Sequence, residues 1–208
     1  MHHDLLLIGR FVRLEALTPG HLPGLVAAAT ANRETYGFTP VPDDEPSMRA
    51  YIDAALANPT QMPFATCRPD GEVIGSTRFM ALEWWEGDWK HADADGQPMP
   101  NVAEIGSTWL RHDAQRSPVN TEAKLLMTTH AFERWGVMRL FLKTDELNVR
   151  SRAAIERLGA RFEGIIRHQM PAAGRSGLRN TAQYSILPDE WRGVRDQLRA
   201  RLVPSSGA

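Results

Sequence analysis

Val102-Ala103-Glu104-Ile105-Gly106-Ser107-Thr108-Trp109-Leu110, the polar segment Arg111 to Asn120 behind it, and the stretch Thr121 to Trp135 decide how this chain folds. The first run is mostly apolar, with a single carboxylate at Glu104, and predicts a central strand. Thr121 to Trp135 predicts a helix ended by Gly136, with Leu125, Thr129, Phe132 and Trp135 along one side. Arg139 to Lys143 reads as the next strand, Asp145 to Asn148 as a loop, and Ser151 to Leu158 as a short helix stopped by Gly159. A strand that returns through a helix to another strand makes parallel neighbours, with the helices laid over the sheet.

Outward from this centre, Phe11 to Leu14 predicts a short strand. Thr18-Pro19 opens a helix carrying Leu22, Leu25, Val26 and Ala29, and Asp44-Glu45-Pro46 opens a second carrying Met48, Ile52, Ala55 and Leu56. Asn58-Pro59 stops it. Phe64 to Arg68 and Glu72 to Phe79 flank Pro69-Asp70-Gly71, a strong hairpin signal. Downstream, Phe162 to Met170 and Thr181 to Leu187 predict two strands, Trp191 to Leu202 a closing helix, and Val203 to Ala208 a tail. The expected architecture is α/β: a mixed central sheet of about seven strands with helices on both faces, in one domain with its core at residues 8–200.

Lys and Arg number 24 against 25 Asp and Glu, for a net charge of −1, and hydrophobic residues make up 42 %. This balance excludes a disordered chain and removes the simplest argument for a nucleic-acid or polybasic membrane partner. Cys67 is the only cysteine, so neither an intrachain disulfide nor a thiolate metal cluster can form. The apolar run Leu5 to Ile8 is shorter than the roughly 7–15 residues of a signal-peptide core, and no run nears the roughly 20 that span a bilayer. A soluble cytoplasmic protein is the expectation.

The loop between the central strand and its helix is a natural anion site, because free N–H groups and the helix dipole converge there. Arg116 and Lys124 add positive charge, while Ser117, Asn120 and Thr121 offer hydrogen bonds. The competing reading is an ordinary capped helix start.

The runs Ala103 to Leu110, Asn120 to Leu126, Phe141 to Asp145, Asn148-Val149-Arg150-Ser151 through Leu158-Gly159-Ala160, and Phe162-Glu163-Gly164 together resemble the GNAT superfamily of acyl-CoA-dependent N-acyltransferases. Within it the chain is similar to the RimJ/RimL type, the ribosomal-protein N-terminal acetyltransferases. The resemblance implies the GNAT fold, acetyl-CoA as cosubstrate with no metal, and direct attack by a primary amine in a ternary complex. Protein N-terminal amines and small amines are both open as acceptors, and some relatives use succinyl-CoA. The resemblance allows a homodimer, which no residue pattern marks.

It also implies roles. Backbone N–H groups from Val119 to Glu122, with Ser117, Asn120 and Lys124, would hold the pyrophosphate. The loop Gln115-x-x-Pro118-x-Asn120 lacks the family's two glycines, and Pro118 lacks an N–H. That departure motivates the alternative of a CoA-binding regulatory module without catalysis. A backbone N–H among Trp109, Leu110 and Arg111 would pair with the pantetheine arm and stabilise the oxyanion. Asn148 would hold a pantetheine amide and Ser151 would protonate the leaving thiolate; otherwise Ser151 caps its helix and Asn148 shapes the turn. Glu104 is the candidate base, a structural ion pair being the competing role. Strict alternation faces it away from Ile105 and Trp109.

Glu83 to Asn101 breaks all periodicity, mixing Trp84, Trp85 and Trp89 with acidic residues. Such a long loop suits acceptor recognition, with core cover or a subunit contact as alternatives. His130 is expected to pack inside its helix, and Cys67 to be a small buried hydrophobe.

Overall fold

The computed structural model describes residues 4–203, so the expected tail beyond Val203 lies outside the described residues. The strands are β1 (Leu6–Ile8), β2 (Arg13–Ala16), β3 (Met62–Cys67), β4 (Val73–Glu83), β5 (Val102–Leu110), β6 (Arg139–Asp145), β7 (Arg161–Pro171) and β8 (Leu178–Ile186). The helices are α1 (Leu22–Thr30), α2 (Glu45–Ala57), α3 (Pro118–His130), α4 (Val149–Arg157) and α5 (Pro188–Leu202). All eight strands share one sheet in the order β1-β2-β3-β4-β5-β6-β8-β7. Its neighbours are antiparallel except β5 and β6, the pair joined through α3. The expected mixed α/β sheet is present, with an eighth strand added. β1 has three residues, too few to show a period in sequence.

The two faces of the sheet bury separate cores. Phe64, Phe79, Ile105, Met127, Leu140 and Tyr184 lie on the face covered by α3 and α5. Leu25, Met48, Ile52, Ala65 and Trp109 lie on the face covered by α1 and α2. The buried stripe of α3 is Val119, Ala123 and Met127. The expected stripe of Leu125 and Phe132 is only partly buried, and Phe132 stacks on Trp191 of α5 with ring centroids 5.2 Å apart.

β5 is not a regular strand. Arg78 pairs with Gly106 and Ser76 with Trp109, so Thr77 alone on β4 faces the two residues Ser107 and Thr108 on β5. The extra residue is a β-bulge, and Ser107 takes a left-handed φ of 49°. Every residue past it changes face. Glu104 and Ile105 point to opposite sides as expected, but Trp109 falls on the side of Glu104, in the α1–α2 core. Strict alternation fails here because a bulge breaks the period of two.

Lys124 pins this bulge from below. Fully enclosed on the inner side of α3, its Nζ donates to Thr108 Oγ1 at 2.6 Å and Thr77 Oγ1 at 3.1 Å, and the two threonine hydroxyls lie 2.7 Å apart. The expectation that Lys124 reaches a cofactor phosphate is therefore corrected: it lies under the sheet, more than one turn inside α3.

Burial lowers the Lys124 ammonium to about 7, far below the ordinary lysine value. Its folded value lies beneath its unfolded one, so between about pH 7 and 10 the unfolded chain binds the extra proton. Stability attributable to this group rises with pH across that window, by about 1.4 kcal/mol per unit. Lys124→Met removes the slope: urea titrations at pH 6 and 9 should show the wild type gaining stability between the two values and the variant gaining none from this position.

Candidate active site

β5 and β6 pair in parallel only from Val102 with Arg139 to Glu104 with Phe141. Both strands continue, to Leu110 and Asp145, without further pairing to each other. The bulge bends β5 away, and a V-shaped gap opens with its apex at Glu104. α3 and α4 begin at the mouth of this gap, beyond the carboxyl ends of the two strands. In open sheets that crevice is where ligands bind. Arg150 Nη2 donates to Gln115 Oε1 across the mouth at 3.2 Å, tying the two helix starts together.

Glu104 is 8 % exposed, and its Oε2 lies 3.3 Å from Lys143 Nζ on β6. Burial raises its carboxyl above the ordinary value, and Lys143 and Arg179 oppose that rise without cancelling it. Both readings of the sequence thus meet in one residue: Glu104 has an ion pair and also the raised value that suits a base. Gly106 makes room for it, since a Cβ there would lie 3.0 Å from Glu104 Oε1. Lys143 escaped sequence analysis because the parallel register that sets it beside Glu104 is not written in either strand.

The backbone donors along β5 are distinguishable. Arg111 N–H is committed to Ile74 O at 2.7 Å, which corrects its candidacy as an oxyanion donor. Its guanidinium is also engaged, with Glu72 and Asp113. Alternation turns the Leu110 N–H and C=O the other way, toward the gap. The Leu110 carbonyl accepts from Tyr36 Oη at 3.1 Å and Gln115 Nε2 at 2.8 Å, and its N–H faces the opening. The Trp109 indole is buried on the α1–α2 side, edge-on to Tyr36, and contributes packing.

At the start of α3, Ser117 caps the helix by accepting from Val119 N–H at 3.3 Å. The Glu122 carboxylate accepts from the amides of Arg10, Phe11 and Val12 at 2.9, 2.5 and 3.0 Å, fastening the turn between β1 and β2. Lys124 is buried and Val119 N–H and Ser117 are spent on the cap, so the expected pyrophosphate cradle retains the backbone N–H groups of Asn120 and Thr121, the Asn120 amide, the Thr121 hydroxyl and the exposed Arg116. Arg116 holds the left-handed turn, at φ 57°, that a glycine would adopt without strain.

At α4, Asn148 Oδ1 accepts from Ser151 N–H at 3.0 Å. Asn148 is the cap, and the alternative in which Ser151 caps is corrected. The Ser151 hydroxyl has no hydrogen-bond partner among the described residues. Oxygen and amide acceptors entering the gap would find the Ser151 hydroxyl, the Asn148 amide and the Leu110 N–H, a donor set that fits a pantetheine arm and a thioester.

The tryptophan loop lies elsewhere. Asn101 holds it, accepting from Trp85 N–H at 2.8 Å and donating to Trp89 O at 2.8 Å, while His91 Nε2 lies 2.6 Å from Trp135 O. Trp135 belongs to the end of the α3 face, opposite to the side chain of Glu104. Trp84 and Trp85 line a separate cavity of about 160 Å³ with His91 and Met99, and Trp89 is largely exposed. The structure therefore does not bring these indoles to the gap.

Glu15, His21 and Cys67 place three donor atoms within 4.8 Å of one another. The Cys67 thiol is pushed up to about 12 by burial, and His21 Nδ1 accepts the Thr18 amide at 3.1 Å. His21 Nε2 lies 3.5 Å from Glu15 Oε2.

A mixed sheet splayed at a bulged central strand, with two helix starts at the mouth of the gap, defines an α/β protein with a cleft at the carboxyl ends of its parallel pair. Residues 12–161 match the family described as the acetyltransferase (GNAT) domain, and the chain belongs to that family. A GCN5-related N-acetyltransferase from Brucella melitensis is 30 % identical, with 97 % of this chain and 87 % of that one covered and a TM-score of 0.80. RimL, the ribosomal L7/L12 alpha-N-protein acetyltransferase, is similar at 17 % identity, 89 % and 96 % coverage and a TM-score of 0.72, a likeness of fold. No curated protein matches the sequence. Among the described residues, no helix is long and apolar enough to cross a membrane.

Asn148→Ala removes a cap and should lower stability by about 1 kcal/mol, a fall of about 2–4 °C in thermal midpoint. Ser151→Ala should leave the midpoint unchanged. Calorimetric melting of the two variants separates these outcomes.

Proposed function

We propose that the chain moves an acetyl group from acetyl-CoA to a primary amine by direct attack in a ternary complex. The observation that carries this reading is a buried, raised-pKa carboxylate at the apex of a gap between two parallel strands. The cosubstrate would supply an activated acyl group as a thioester; the protein supplies position and proton transfer.

Arg116, Asn120 and the dipole of α3 hold the phosphate end at the mouth. Leu110 N–H and the Asn148 amide hold the arm along the gap, Leu110 N–H being the donor that faces the carbonyl oxygen as charge develops. Glu104 takes the proton of the attacking ammonium, directly or through one water. The amine nitrogen then bonds to the acyl carbon, the carbon–sulfur bond breaks, and the second nitrogen proton passes to the departing sulfur by way of the Ser151 hydroxyl, leaving the amide and the free thiol. Lys143 keeps Glu104 ionised through part of the pH range, and burial keeps it basic.

The depleted phosphate cradle supports a second reading, a CoA-binding module without turnover. Thiol release measured with acetyl-CoA and an amine panel separates the two. Saturable CoA binding with no acceptor-dependent thiol release favours the module.

For the enzyme, kcat/KM rises with pH through the raised value of Glu104, because only the carboxylate accepts a proton. Glu104→Gln abolishes that limb and lowers kcat by about a hundred-fold or more, with the Kd for CoA unchanged by calorimetry. An unaltered profile would remove Glu104 from the proton path.

A further inference from the structure

Arg78 is 6 % exposed and sits on β4 directly opposite Gly106, on the same face of the sheet as Glu104. Its guanidinium lies 4.5 Å over the ring of Tyr51 from α2, and Nη1 donates to Gln61 Oε1 at 2.8 Å. No carboxylate meets it among the described residues: Nε and Nη2 are buried without a partner at full hydrogen-bonding geometry, and against the effect of burial the guanidinium draws the Tyr51 hydroxyl below its ordinary value. A buried cation with two unpaired donors is costly, and structures rarely keep one without a partner. Guanidinium presents those donors as a planar fork that matches a carboxylate.

The strip between Arg78 and Glu104 is bare backbone. Gly106 has no side chain; the Met80 thioether and the Glu104 carboxylate lie over it, Met80 Sδ 2.7 Å and Glu104 Oε1 3.0 Å from where a Cβ would stand. Met80 is unbranched, flexible and partly exposed, so it can swing aside. Diagonal neighbours on adjacent strands lie about 7–8 Å apart, so Arg78 and Glu104 are within the length of one small molecule. Charge on this face favours an anion. Lys143 and Arg179 act on Glu104, while the nearby carboxylate of Asp145 is already occupied by Arg175 at 2.7 Å.

We infer that the acceptor is a compact amine bearing a carboxylate, received by the Arg78 guanidinium once Met80 moves, with its amine delivered to Glu104. The inference rests on the acetyltransferase reading above and names its substrate class. Polyamines, which are cationic throughout, are rejected by the same charges.

The test compares matched acceptors, an α-amino acid, a β-amino acid and a dipeptide, each against its own carboxamide, using thiol release by the wild-type protein. The acids are expected to be favoured in kcat/KM by about ten- to a hundred-fold, mostly through KM. Arg78→Met should erase this preference, raising KM for the acids and leaving the amides and the Kd for CoA unaltered. Arg78→Lys, which keeps the charge without the fork, should retain part of it. Equal turnover of acids and amides, a better rate with a polyamine, or a preference that survives Arg78→Met overturns the proposal while the acetyltransferase reading stands. Should Arg78→Met not fold, the wild-type comparison and Arg78→Lys decide the matter. CoA binding without turnover of any pair overturns it in favour of the binding module, and absence of CoA binding overturns both.

Discussion

The hydrogen bonds from Lys124 to Thr77 and Thr108 hold the arrangement together. They fix one extra residue in β5 against a single residue in β4. From that bulge follow the bend that ends pairing with β6 after Glu104, the gap between the two strands, and the change of face that buries Trp109 beneath α1 and α2. A hydrophobic side chain at position 124 would fill the same volume under the sheet, but would leave two buried threonine hydroxyls with only each other. The lysine is an expensive way to pin a bulge, since its charge is poorly tolerated at that depth, and its lowered pKa is the sign of that conflict.

The two helix starts at the mouth divide structural and chemical duties differently. At α3 the polar residues are mostly spent on the fold: Ser117 on the cap, Glu122 on the β1–β2 turn, Lys124 on the bulge. At α4 the cap is made by Asn148, and the neighbouring Ser151 hydroxyl keeps its hydrogen-bonding capacity. More hydrogen-bonding groups are therefore left uncommitted at the start of α4 and along β5 than the fold leaves among the polar side chains of α3. Beyond Glu104, Lys143 and Arg179 act on its carboxyl and Arg175 pairs with Asp145.

Much of this architecture was legible along the chain. The hairpin at Asp70-Gly71, the cap at Asp44, the stop at Gly136 and the strand–helix–strand centre all appear where local chemistry places them, because turn and cap geometry depends on near neighbours in sequence. Glu104, Asn148 and Ser151 were singled out as candidates by resemblance and by position on those elements. The boundaries moved by a few residues where a cap decided them: Ser117 starts α3 and Asn148 starts α4, each earlier than periodicity suggested.

What local sequence determined, then, was the kind and order of the elements and the carboxylate on the middle strand, since period, caps and turns are short-range effects. Tertiary structure alone decided which polar groups were left over for chemistry. Lys124 went under the sheet, the Arg111 amide went to β4, the tryptophan loop went to the opposite face, and Lys143 and Arg78 came to the neighbourhood of Glu104. Each of these depends on strand register across the sheet and on one inserted residue, and register is set by contacts between segments far apart in the chain.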